Sequence, residues 1–447
     1  MRLFFSALLA LACLSVFSPA RSSAQDTTTW VAGAPIRSRV SVGAPGEAWI
    51  GVWVDAPVTA TLRARVPMDV SLVIDTSGSM AGPKIEHARL AAQALIESLA
   101  DGDIVSIYGF ATNVREYAAP TVLDPSSRGN LLRAVDHLVA AGGTYLEGGL
   151  RIGLSRMQQA PPSHSVRRVF VISDGQANVG VTDPRTLGQL AAGGTEWGTQ
   201  VTAIGVGYDY DPITLNQLAV ASAGRMHHLG SPEQMGAILE TELSWMSRSV
   251  ALSAVIEVRP APGVVILGAA TLGAVVEGGV LRLPLGAITA GQRRELLFRV
   301  RMPTADLGRR SIATANLRFD SPGGGTQMQT AALAVDVSRD ASGASDTPRV
   351  AAMMAQHEAS EAERAAAVMM AEGRREEAVA RLEAAQATIT ATSTGYAFDD
   401  AEVSGALAAR SRELSGAASS ARASSAPAAM RARAYELQAA PMAADGY

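Results

Sequence analysis

The sequence predicts an α/β protein: a doubly wound, mostly parallel, Rossmann-like sheet over residues 66–246, inserted in or flanked by an antiparallel β-sandwich, with a C-terminal α-helical region. Three observations predict it. Short apolar runs alternate with helical periodicity from Val66 to Leu243. Polar and apolar residues alternate around glycine turns in 25–65 and 250–340, as half-buried antiparallel strands do. Alanine, glutamate and arginine dominate 345–447.

Residues 1–24 combine Arg2, an apolar run from Leu3 to Phe17, and the small residues Ser22, Ser23 and Ala24, which is the pattern of a secretory signal peptide. Export to a periplasm, a cell surface or the medium is therefore expected. The apolar run is shorter than the roughly 20 residues that a membrane span needs. Its rival, Val264 to Leu285, is broken by Glu277, Arg282 and Pro284, so no transmembrane span is expected. The single cysteine, Cys13, falls inside the signal, and its removal leaves no thiol for disulfides or metal. Leu11-Ala12-Cys13 partly resembles a bacterial lipoprotein cleavage box, which makes a lipid anchor at Cys13 the minor alternative.

Trp30 to Arg65 is too short for a sandwich of its own, so its strands are expected to complete the sheet built by Ala251 to Val337, with the α/β unit inserted between. Within that unit, Val70–Ile74, Ile104–Phe110, Arg168–Ile172 and Val201–Val206 read as central strands, because their apolar character is nearly continuous. Met226–Leu229 is a shorter run, and Val114–Leu123 reads as an antiparallel edge strand. Ile85, Ala88, Ala92, Leu95, Ile96 and Leu99 form one helical stripe, and Leu131, Leu132, Val135 and Leu138 another. Asp183-Pro184 and Ser231-Pro232 are helix starts, with a capping oxygen before a proline. In the tail, Ala365–Ala385 reads as a helical hairpin broken at Gly373, similar to half a tetratricopeptide unit without a second copy. The Ser- and Ala-rich stretch 416–429 is expected to be a low-complexity linker to a last short helix.

The chain has 447 residues, enough for two or three domains, with 48% hydrophobic and 18% charged residues. Its formal charge is -4, and loss of Arg2 and Arg21 makes it more acidic. No nucleic-acid partner is expected, since phosphate recognition needs a clustered basic surface.

The most informative pattern is five oxygen-bearing side chains: Asp75, Ser77 and Ser79 within Asp75-Thr76-Ser77-Gly78-Ser79, then Thr144, then Asp174. Asp75 and Asp174 each follow a predicted central strand, and an open parallel sheet places ligands at those carboxyl ends. Gly142-Gly143 before Thr144 permits a close loop approach. An all-oxygen donor set selects a hard cation, Mg²⁺ with Mn²⁺ or Ca²⁺ as alternatives, and not zinc. Two carboxylates only offset the charge of such an ion, which leaves it a strong acceptor for one further anionic oxygen.

These residues resemble a von Willebrand factor type A domain with an intact metal-ion-dependent adhesion site. The resemblance covers residues 66–246 and rests on Val70 to Met80, Gly142-Gly143-Thr144, Val169 to Gly175, and Thr202 to Gly207. It is similar in wider pattern to bacterial exported proteins of this class and to inter-alpha-trypsin inhibitor heavy chains. The resemblance implies that Ser77, Ser79 and Thr144 touch the metal directly or nearly so, and that Asp75 and Asp174 act often through water. It also implies a non-enzymatic protein-binding role, in which a partner presents a carboxylate.

Catalytic motifs are missing: there is no Gly-x-Ser-x-Gly elbow, no His-Glu-x-x-His, no cysteine nucleophile and no phosphate loop. Ser77 stands where an Asp-x-Asp phosphatase would carry its second aspartate. The alternative function is a metal-assisted hydrolase at the same site, for which Glu147 is the nearby candidate base. A channel-like membrane protein is opposed by the absent span. Asp209 and Asp211 read as caps for a helix starting near Pro212, and His227-His228 as packing or surface residues.

Overall fold

A computed structural model of the chain describes residues 29–58, 66–207, 210–231, 234, 236–238, 241–242, 248–322, 324–398, 400–426, 429–430, 433 and 437. The expected signal peptide with Cys13, and the residues Asp209 and Pro232, lie outside the described residues.

The chain opens with β1 (Val31–Pro35), β2 (Arg39–Ser41) and β3 (Glu47–Asp55). The α/β unit follows as β4 (Met68–Asp75), α1 (Pro83–Ser98), β5 (Ile104–Phe110), β6 (Val114–Val122), α2 (Pro125–Asp136), α3 (Leu146–Gln158), β7 (Val166–Ser173), α4 (Pro184–Gly193), β8 (Thr199–Val206), α5 (Pro212–Ala221) and β9 (Met226–Leu229). Then come β10 (Ser249–Pro260), β11 (Val265–Ala269), β12 (Val275–Glu277), β13 (Val280–Thr289), β14 (Arg293–Arg301), β15 (Gly308–Asp320) and β16 (Thr326–Ser338). Three helices close the chain: α6 (Pro348–Ala371), α7 (Arg375–Gly395) and α8 (Ala401–Ala423).

The α/β sheet has the order β6-β5-β4-β7-β8-β9. All its pairings are parallel except the edge strand β6, which runs antiparallel to β5. Every residue of β4, β5 and β8 is buried, which is why their sequences read as unbroken apolar runs rather than alternation. One face is covered by the α1 stripe of Ile85, Ala88, Ala92, Leu95 and Ile96. The other is covered by Leu146, Leu150, Leu154 and Met157 of α3.

Strands from before and after this unit share sheets. β3 pairs with β14 from Glu47↔Arg301 to Asp55↔Arg293, in a four-stranded sheet ordered β1-β3-β14-β11. β2 pairs with β16 at the edge of a six-stranded sheet ordered β12-β13-β10-β15-β16-β2. The two sheets enclose Ile50, Val52, Val54, Ile256, Phe298, Leu317 and Val335. The α/β unit is thus an insertion between β3 and β10. It rests on the sandwich through the end of its sheet where β8 begins: Gly198 lies against Ser253, Gly286 against the Gln200 side chain, and Leu252 joins the core of the α/β unit.

The last three helices pack around Ala355, Ala359, Ala362, Leu382, Ile389, Leu407 and Leu414. Gly373, at φ +81°, reverses the chain between α6 and α7. The expected linker over 416–429 is corrected in its first half: Gly416 to Ala423 continue α8, with Ala417, Ala418 and Ala421 buried against the other two helices. Small residues without long side chains to pack look like linker in sequence, and tertiary burial makes them helix.

Candidate metal centre

Asp75 ends β4 and Asp174 follows the last residue of β7, and the parallel register Ile74↔Ile172 brings both to one rim of the sheet. This rim is opposite the end that rests on the sandwich. Both carboxylates are fully buried, as is Ser77; Thr144 is 1% exposed and Ser79 is open to solvent.

The first loop is organised by Asp75 itself, whose Oδ1 accepts from the Ser77 backbone N–H at 2.8 Å. The hydroxyls of Ser77 and Ser79 stand 3.0 Å apart. Backbone bonds knit this loop to the one carrying Thr144: Gly78 N–H donates to the Gly142 carbonyl at 2.9 Å, and Ala141 N–H to the Thr76 carbonyl at 2.8 Å. A Cβ on Gly78 would lie 3.2 Å from that Gly142 oxygen, and one on Gly142, at φ +82°, would lie 2.6 Å from Thr112 Oγ1. Glycine is therefore required at 142, where φ is positive, while a side chain at 78 would press on the Gly142 carbonyl. Thr144 is held from the other side, its N–H donating to Asn178 Oδ1 at 2.7 Å while its carbonyl accepts from the N–H groups of Asn178 and Val179.

Two residues that the sequence reading did not single out support the carboxylates. Ser173 Oγ donates to Asp75 Oδ2 at 2.6 Å and accepts from Gly175 N–H at 2.8 Å. Lys84, in the first turn of α1, places its Nζ 3.2 Å from Asp174 Oδ2. The Ser-Asp-Gly run at 173–175 was a signal available for Ser173; nothing in spacing ties Lys84 to Asp174. Burial pushes the Asp75 carboxyl up to about 6, against the hydrogen bonds from Ser173 and Ser77, and the charge of Asp174 adds to the rise.

The residues fit a divalent cation by this observation: two fully buried carboxylates share one rim, burial pushes the Asp75 carboxyl up, and the side chains on the loops beside them offer hydroxyls rather than softer donors. Among the described residues no group of three or more His, Cys, Asp and Glu side chains gathers to hold a metal, so a cation site here would depend on the hydroxyl oxygens.

Other sequence candidates resolve differently. Asp211 caps α5, accepting from Ile213 and Thr214 N–H groups. His227 Nε2 lies 2.9 Å from Glu242 Oε1, and His228 stacks on Tyr210. Both oxygens of Glu147 are engaged, Oε2 by Val181 N–H and Oε1 by Arg151 Nε, each at 2.8 Å; those bonds hold its carboxyl below the usual range. A carboxylate so occupied is a poor general base.

Residues 70–176 match the family model of the von Willebrand factor type A domain. An uncharacterized protein of Synechocystis is 25% identical over 274 residues, 58% of this chain and 63% of that protein. Human inter-alpha-trypsin inhibitor heavy chain H4 is 27% identical over 167 residues, 36% of this chain and 18% of that one. The chain therefore spans less than two thirds of either relative. A solved von Willebrand factor type A structure from Catenulispora acidiphila covers 94% of this chain and 98% of its own, with a TM-score of 0.69 at 19% identity, a likeness of fold.

Proposed function

We propose, from the premise that this chain carries a von Willebrand factor type A domain, that it is an exported protein that binds an acidic side chain of a protein partner through a metal-ion-dependent adhesion site. Protein binding or adhesion is the general role that such a domain implies; the metal, the carboxylate and the export are the specific reading. Its main support is the pair of buried carboxylates, Asp75 and Asp174, on the rim facing away from the sandwich.

Ser77, Ser79 and Thr144 would hold the ion through hydroxyls, with Asp75 and Asp174 supplying charge; Mg²⁺ suits this donor set, with Mn²⁺ or Ca²⁺ as alternatives. When bound, the ion supplies a Lewis-acidic position for an anionic oxygen of the partner. The chain's own part is to keep the carboxylates dry and oriented, Asp75 by Ser173 and the Ser77 N–H, Thr144 by Asn178. Export rests on the pattern of residues 1–24, and among the described residues no helix is long and apolar enough to cross a membrane.

The test is affinity capture from cell-envelope extract, with and without chelator, using the wild type and Asp75→Ala. A partner retained only by the wild type and only with free divalent ion is expected. Capture indifferent to both chelator and substitution overturns the proposal.

A further inference from the structure

We infer that Lys84 is a tethered counter-cation of this site, competing with the divalent ion for Asp174 and so setting how much metal the site needs before it fills. The inference rests on the metal-site reading above and adds to it a regulator of occupancy.

The geometry carries it. Lys84 Nζ lies 3.2 Å from Asp174 Oδ2, and the carboxylate is fully buried while the lysine side chain is 18% exposed. The other oxygen of Asp174 accepts from Gln176 N–H at 3.4 Å, a long contact. Asp75 is differently placed, since each of its oxygens accepts a short bond from the protein, at 2.8 and 2.6 Å. Of the two carboxylates, Asp174 is thus the one that faces a side-chain cation, where Asp75 accepts from a backbone N–H and a hydroxyl.

The position of Lys84 argues in the same direction. It is the second residue of α1, where the helix dipole and free N–H groups disfavour a cation. A lysine kept there is offset by Asp174, and the same carboxylate is the charge that a divalent ion would take. Lysine carries its charge on a flexible four-carbon stem, so it can swing to solvent without moving the backbone. When it stays, the pair of carboxylates loses half of its charge to an internal group; when it leaves, both charges face the ion. Entry of a metal then requires an exchange of cations, not simple filling.

The experiment is calorimetric titration of the full chain with Mn²⁺ and Mg²⁺, comparing wild type, Lys84→Met, Lys84→Gln and Lys84→Arg, alongside thermal unfolding in chelator. Lys84→Met and Lys84→Gln are expected to bind Mn²⁺ about tenfold more tightly, with unfolding in chelator at lower temperature than wild type. Lys84→Arg keeps the charge and is expected to stay near wild type. Lys84→Gln retains a hydrogen-bonding head group and serves where Lys84→Met does not fold. Unchanged or weaker Mn²⁺ binding by the neutral variants overturns the competition while leaving the metal site intact. Absence of Mn²⁺ and Mg²⁺ binding by every protein, the wild type included, overturns the metal site and the competition together.

Discussion

At the scale of single residues, the molecule separates groups that would meet a ligand from groups that hold them in place. Ser173 belongs to the second kind: its hydroxyl is 2.6 Å from Asp75 Oδ2 and is itself fixed by Gly175 N–H. Removing such an orienting bond weakens metal affinity by about 10–100-fold in known sites. Ser173→Ala is therefore expected to lower Mn²⁺ affinity by about tenfold without changing the overall circular dichroism, as titration calorimetry would read. Glu242 is a purely structural counterpart. It is fully buried beside β8, where Thr202 Oγ1 donates to it at 3.1 Å, His227 lies at 2.9 Å and Arg225 at 3.4 Å. Burial alone would raise its carboxyl, but the hydrogen bond from His227 and the charges of Arg168, His227 and Arg225 overcome that and bring it down from 4.5 to about 2. A lowered folded-state value means that the folded protein binds the proton less readily than the unfolded chain. The stabilisation is then full above about pH 5 and is lost as pH falls toward about 2, and it amounts to about 3 kcal/mol. Glu242→Gln should lower the denaturant midpoint at neutral pH, and the gap to wild type should narrow at pH of about 3; a gap independent of pH would refute this assignment. The five rim oxygens were legible because each follows a strand or a glycine pair in sequence. Lys84 and Glu242 were not, because their partners lie far along the chain, at Asp174 and on β8 and β9, and no local pattern encodes such a pairing.

At the scale of elements, the sheet and the helix on its face decide where the loops stand. α3 begins two residues after Thr144, and it lies close to β4 and β5 because it presents glycines to them. A Cβ on Gly149 would lie 2.5 Å from Phe110 Cδ1 and 3.0 Å from Val73 Cγ1; one on Gly153 would lie 2.8 Å from Val73 Cγ2. Phe110 and Val73 are fully buried and have nowhere to move. Gly149→Ala gains up to about 1 kcal/mol of helix propensity but overpacks the interface by about 1–3 kcal/mol, so a net loss of stability is expected. Because the displaced helix carries the Thr144 loop with it, Mn²⁺ affinity should fall as well. Gly129→Ala in α2 is the control, since its new Cβ would meet only Arg133 Nη1, at 3.8 Å; thermal unfolding should show it unchanged or slightly stabilised. The sequence made the central strands legible through their unbroken apolar runs and α1 through its stripe. It misread Gly416–Ala423, because an alanine and serine composition is equally that of a linker and of a helix packed closely on its neighbours.

At the scale of the whole molecule, the α/β unit stands on a sandwich that its own insertion interrupts, and the tail helices are clasped to the other side of that sandwich. The clasp is Arg349, near the start of α6. Its Nη1 and Nη2 bond the two oxygens of Asp55 on β3 at 2.7 and 2.8 Å, its Nε reaches Glu295 on β14 at 3.2 Å, and its guanidinium lies 4.6 Å from the Trp53 ring centroid. Asp55 pairs with Arg293 and Glu295 with Trp53, so Asp55 and Glu295 are diagonal neighbours on the β3–β14 ladder and the arginine bridges one strand from before the insertion and one from after it. Joining of these strands was predictable from their alternation and from the shortness of the first segment; the arginine that fastens the tail to both was not, since its partners are far away in sequence. Asp55 is 39% exposed, which screens the pair, but the guanidinium is only 14% exposed and its forked geometry is well matched to a carboxylate. Arg349→Ala should therefore cost about 1–2 kcal/mol of tail docking and leave the α/β sheet untouched. The expected readout is faster limited proteolysis in the 339–347 connection, with Mn²⁺ affinity at the distant rim unchanged. Arg349→Lys, which keeps charge but loses the fork, should fall between the two. Equal cleavage rates in all three proteins would mean that the apolar contacts of Val350 and Met353 with Leu297 hold the tail without the arginine.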